Sequence, residues 1–83
     1  MEKIAVEVMC FAGLRKYFGN GTSVSVNSGA ACSEVIDEMI RMKPEAGEVL
    51  SSCRIAVDEE FISPQETIRS GMTLIMIPPS SGG

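Results

Sequence analysis

Residues 72–83 read Met72-Thr73-Leu74-Ile75-Met76-Ile77-Pro78-Pro79-Ser80-Ser81-Gly82-Gly83. Five of the six residues from Met72 to Ile77 are apolar. So short and apolar a run, entered through Ser70-Gly71, predicts a strand in the middle of a sheet. Pro78 and Pro79 then end the ladder, because proline has no N–H to give it. Ser80 to Gly83 carries no side chain able to anchor it and is expected to be mobile. The chain thus divides into a folded body, 1–77, and a tail, 78–83.

Outward from that strand, Lys3 to Phe11 alternates at period two. Val6, Val8 and Cys10 are set one way, and Ala5, Glu7, Met9 and Phe11 the other. From Phe11 the spacing turns helical, with Phe11, Leu14 and Phe18 on one side, until Gly19-Asn20-Gly21 stops it. Thr22 to Val26 reads as a second strand paired with the first. The main helix is expected over Ser33 to Lys43, with Val35, Ile36, Met39, Ile40 and Met42 as its apolar set. Ser33 is the expected N-cap, Glu34 suits the positive end of the helix dipole, and Pro44 ends the helix. Pro44 to Ser52 reads as polar and irregular, with one helical turn as the alternative. Cys53 to Val57 is a third strand, Asp58-Glu59-Glu60 a turn, and Phe61-Ile62 a short return. The order β, short α, β, α, β, β, β predicts an α+β chain of the β-grasp, or ubiquitin-like, type. Its sheet is mixed and four- to five-stranded, with one main helix packed on one face.

At 83 residues the chain is one small domain with no room for a deep cleft beside its core. The formal charge is −4 and the seven basic residues are scattered, which argues against nucleic acid as a partner. No apolar run approaches the length of a membrane span, and no signal segment follows Met-Glu-Lys, so no membrane is expected and the expected compartment is the cytoplasm. Cys10, Cys32 and Cys53 are widely spaced and the chain has no histidine, so no metal site is expected. Their plainest role is as small buried hydrophobes, the alternative being a reactive thiol that nothing in the sequence marks.

The tail carries the distinctive chemistry. A Gly-Gly backbone passes a channel too narrow for any side chain. The two prolines hold the root of the tail as a stiff arm, and residues 78–83 extended reach about 20 Å. The terminal carboxylate is ionised at neutral pH and is a poor electrophile until it is activated, typically by adenylation. The chain has no phosphate-binding glycine loop of its own, so ATP must be held by a partner and no cofactor is expected here. The competing reading is a frayed end without a role.

Four segments resemble the MoaD/ThiS sulfur-carrier family, and within it the small subunits of molybdopterin synthase. Phe11-Ala12-Gly13-Leu14-Arg15 resembles its Phe-Ala-x-Val/Leu-Arg segment, and Ile55-Ala56-Val57-Asp58 its Val-Asn strand and turn. Ile68-Arg69-Ser70-Gly71-Met72 sits where Leu-x-Asp-Gly-Asp is usual, and Ile77 to Gly83 resembles Phe-Pro-Pro-x-x-Gly-Gly. Departures fall at Asp58, Ser70, Met72, Cys32 and Ile77, none at the reacting end. The resemblance implies a carrier that is no enzyme alone. Gly83 would be adenylated with ATP by a ubiquitin-activating-like adenylyltransferase (MoeB/ThiF type) and converted to a thiocarboxylate. Gly82 would allow threading into the large subunit (MoaE type), where sulfur is delivered for molybdopterin. Ile77, Pro78, Pro79, Ser80 and Ser81 would contact these partners. By the strand alternation, Met9, Phe11, Ile75 and Ile77 would form an apolar docking patch on the open sheet face; Phe11 can equally cap the core from the short helix. Asp58, Glu59 and Glu60 either meet a basic rim or form a solvated turn. Rival readings are a carrier for thiamine or another sulfur metabolite, a modifier joined through Gly83 to lysines, and an interaction module with an inert tail.

Overall fold

The structure, a computed structural model, describes residues 2–79. The expectations for Ser80, Ser81, Gly82 and Gly83 therefore lie outside the described residues. Period-two burial makes β1 (Lys3–Cys10): Val6, Val8 and Cys10 are buried while Glu7 and Met9 face out. A 3-10 turn (Ala12–Leu14) and the short α1 (Arg15–Phe18) lead into β2 (Gly21–Asn27), antiparallel to β1. The main helix α2 (Cys32–Met42) is followed by a 3-10 turn (Pro44–Ala46), α3 (Gly47–Ser51), β3 (Arg54–Val57), β4 (Glu60–Ile62) and β5 (Thr73–Ile77).

The strand order is β2-β1-β5-β3-β4. β5 is central, parallel to β1 and antiparallel to β3. Leu74 and Met76 point into the core and Ile75 and Ile77 point out, as the alternation requires. Helix α2 buries Cys32, Val35 and Met39, at i, i+3 and i+7, against the inner face of the sheet. Burying Val35 and Met39 fully contributes about 1.5–3 kcal/mol each.

The structure corrects the sequence reading in several places. The main helix starts at Cys32, and Ser33 is not its N-cap; Ala31 holds that position with no side-chain bond. The first amides are satisfied from a distance instead. The N–H of Cys32 donates to the Glu66 carbonyl (2.8 Å) and that of Ser33 to the Pro64 carbonyl (2.9 Å). Met42 is 48% exposed, because the chain turns back at Lys43 and Pro44 while Ala46 and Leu50 of the next segment fill the core. The stretch expected to be irregular is thus largely helical and supplies two fully buried residues. The first strand ends at Cys10, not Phe11. The β3–β4 turn holds Asp58 and Glu59 at φ +51° and +68°, the two left-handed positions of a type I′ hairpin.

Candidate docking face and tail root

The register of the sheet assembles one row of side chains on the face away from α2. Met9 pairs with Ile75, Ile75 with Ala56, and Ala56 with Phe61. Partners in a ladder share a face, so these four residues cross β1, β5, β3 and β4 in line. One step along β5, Ile77 pairs with Arg54. Met9 is 45% and Phe61 60% exposed, Ile75 and Ile77 are half-buried, and Ala56 is closed over by its neighbours. Met9, Ile75, Ile77 and Phe61 all stand outside the core cluster. An apolar row across four strands is the kind of surface that a partner covers.

Phe11 joins this face rather than the core. Its backbone is extended (φ −131°, ψ 163°), so it continues the β1 alternation on the side of Met9. Leu14 and Phe18 pack with the core while Phe11 does not, which breaks the expected helical grouping of the three. The Arg15 guanidinium lies 5.4 Å from the Phe11 ring centroid, and Arg54 lies 5.2 Å from that of Phe61. The apolar row is therefore bordered by two arginines stacked on aromatic rings. Asp58, Glu59 and Glu60 are exposed at the far hairpin.

Phe61 is the member of this row that sequence reasoning missed. Its signal was the two-residue turn, which pairs Val57 with Glu60 and so places Phe61 opposite Ala56. Without the β3–β5 register, nothing ties Ala56 to the row that Met9 and Ile75 occupy.

Beyond Ile77, the half-buried Pro78 and exposed Pro79 form the root of the tail. They line a groove of about 710 Å³ with Ala12, Gly13, Glu48, Val49 and Ser52. Pro78 and Pro79 thus sit between the apolar row and this groove. Ser80, Ser81, Gly82 and Gly83, which the sequence reading expects to be the reacting end, fall outside the described residues.

The cysteines offer no ready nucleophile. Burial raises the Cys10 thiol. Burial first, then the Glu66 carboxylate, raises Cys32 against an opposing backbone hydrogen bond. Burial, and after it the neighbouring Cys10, pushes Cys53 up to about 11. The Cys53 thiol also donates to the Val49 carbonyl (3.2 Å). All three therefore stay protonated at neutral pH, which withholds the reactive thiolate. Among the described residues no cluster of His, Cys, Asp or Glu can hold a metal ion, and no helix is long and apolar enough to cross a membrane.

The sequence profile of the ThiS family matches residues 8–83. This chain belongs to the ThiS family. A curated relative from Chlamydomonas reinhardtii, named molybdopterin synthase sulfur carrier subunit, is 30% identical over 81 residues, covering 94% of this chain and 98% of that protein. Two solved structures share the fold of this ThiS-family chain. SAMP1 from Haloferax volcanii has a TM-score of 0.78 at 24% identity, covering 95% of this chain and 99% of that one. A chain of the complex of subunits 1 and 2 of the molybdopterin-converting factor from Helicobacter pylori matches with a TM-score of 0.61 at 21% identity, covering 96% of this chain and 100% of that one. The ubiquitin-like β-grasp architecture agrees with the element order read from the sequence.

Proposed function

We propose that this ThiS-family chain is the sulfur-carrying small subunit of a molybdopterin synthase, with the carboxyl group of Gly83 as its working end. The observation that carries the reading is structural. The central strand β5 delivers Ile77, Pro78 and Pro79 to the margin of the apolar row, and Ser80-Ser81-Gly82-Gly83 follow. A body docked through Met9, Ile75, Phe61 and Ile77 leaves the tail free to enter a partner to a depth of about 20 Å. The relative named as a molybdopterin synthase sulfur carrier subunit supports the same role.

In this cycle an adenylyltransferase of the MoeB/ThiF type holds ATP. A Gly83 carboxylate oxygen attacks the α-phosphorus and pyrophosphate leaves. Hydrosulfide released by the sulfur donor then adds to the acyl carbon, and AMP departs with that oxygen, leaving a thiocarboxylate and a proton. The softer sulfur terminus is the stronger nucleophile toward the pterin precursor in the large subunit; the thioester so formed is cleaved by water at its acyl C–S bond, which leaves the sulfur on the precursor and returns the carrier as a carboxylate. The chain supplies recognition, reach and the acyl group; both partners supply catalysis. The cycle is tested by incubating the chain with its adenylating partner and ATP. Pyrophosphate release is expected to require the chain and to vanish when Gly83 is deleted. Equal release with and without Gly83 removes the reading.

A further inference from the structure

The two edges of the sheet differ. β4 is three residues long, carries Glu60, and is bracketed by Asp58, Glu59 and Pro64, features that blunt an edge against pairing. β2 runs seven residues, Gly21–Asn27, with no charged side chain, no proline and an unbroken register against β1.

The phase of the β1–β2 ladder decides which groups on that edge are free. The N–H of Cys10 donates to the Asn20 carbonyl (3.0 Å) and that of Ser28 to the Glu2 carbonyl (2.9 Å). Even-numbered residues of β2 therefore turn their backbone groups toward β1, and odd-numbered ones turn theirs outward. The Asn27 carbonyl is taken by the N–H of Ala30 (3.0 Å). Gly21, Ser23 and Ser25 each keep an N–H and a C=O directed away from the sheet, unmatched among the described residues. Their side chains are absent or small, so another strand can approach closely.

Charge selects the occupant. Along its α2 side the edge opens into a groove of about 170 Å³ lined by Ser25, Val26, Asn27, Lys3, Glu34, Asp37 and Glu38. Glu38 is paired with Arg41 (2.9 Å), while Glu34 and Asp37 are exposed and, among the described residues, share the groove with Lys3 as its one basic side chain. A second copy of this chain would bring two such acidic flanks together. A strand bearing basic side chains toward α2 would meet opposite charge.

We infer that the β2 edge is a docking site for an extended partner segment that adds a sixth strand antiparallel or parallel to β2, with lysine or arginine side chains lying against Glu34 and Asp37 of α2. This surface lies at the end of the sheet away from Phe61, so its occupation is compatible with docking through the apolar row.

The test titrates the isotope-labelled full chain with a blocked Lys-Thr-Lys-Val-Lys-Thr-Lys peptide and, in parallel, its Glu-for-Lys counterpart, following amide signals. Saturable shifts centred on Gly21, Ser23 and Ser25 with the basic peptide alone are expected. Ser23→Pro removes an outward N–H at an edge where proline is tolerated, and should weaken binding about tenfold. Asp37→Lys leaves the backbone intact and should reverse the preference between the two peptides. The inference is overturned by equal binding of both peptides, by no shift at millimolar peptide, or by shifts confined to Met9, Ile75 and Phe61. Concentration-dependent self-association of the free chain through the same amides would overturn the choice of occupant.

Discussion

Replacing Phe61 with alanine separates docking from folding. The ring is 60% exposed and stacked on by Arg54. Of the roughly 200 Å² an aromatic residue can bury, about 120 Å² is still available to a partner. At about 25 cal/mol per Å² that area is worth about 3 kcal/mol on complex formation, an upper figure of about two orders of magnitude in Kd. The part already covered within the chain, about 80 Å², corresponds to about 2 kcal/mol of fold stability by the same conversion. Phe61→Ala should therefore remain folded with a lowered melting temperature, while its calorimetric Kd for the large subunit rises at least tenfold. A folded variant that binds the large subunit within a factor of two of the parent would refute the assignment of the β1-β5-β3-β4 face to that contact.

Three further outcomes follow from the fold. Glu59→Gly relieves a left-handed residue in the β3–β4 turn and should add about 1 kcal/mol, or about 4–8 °C in melting temperature; an unchanged or lower value would contradict the turn geometry. Leu50→Ala empties a fully buried site in α3 and should cost about 2–5 kcal/mol in urea unfolding; a loss below 1 kcal/mol would mean that α3 does not belong to the core. With the native Cys53 thiol held up to about 11 against an ordinary 9.0, the unfolded thiol ionises first. The native state then binds more protons, so stability should be full below pH 9 and fall as the pH rises toward 11. That fall should shrink in Cys53→Ala, and an identical pH profile in the variant would rule out Cys53 as its source.

Much of the architecture was written in local patterns. Five apolar residues before Pro78 were enough to make β5 central, and the alternation in Lys3–Cys10 placed Met9 on the outer face. What the sequence concealed depended on distant partners. The start of α2 is satisfied by the carbonyls of Pro64 and Glu66, about thirty residues away in the chain, and no local cap residue reports that. Ala46 and Leu50 sit among polar neighbours, and they are buried only because the chain doubles back under α2 at Pro44. Phe61 joins the docking row through two successive registers, each of which is a tertiary fact. Phe11 was ambiguous because helical and strand periodicities overlap at that residue, and its extended backbone resolves it.

A Gly83 carboxyl group that carries sulfur is visible in the mass of the intact protein isolated from its own host. A population heavier by the exchange of one oxygen for one sulfur, located to Gly83 by fragmentation and removed by hydrolysis, is expected. A chain ending at Gly83 that is never heavier, in cells actively making the pterin cofactor, would contradict the carrier role.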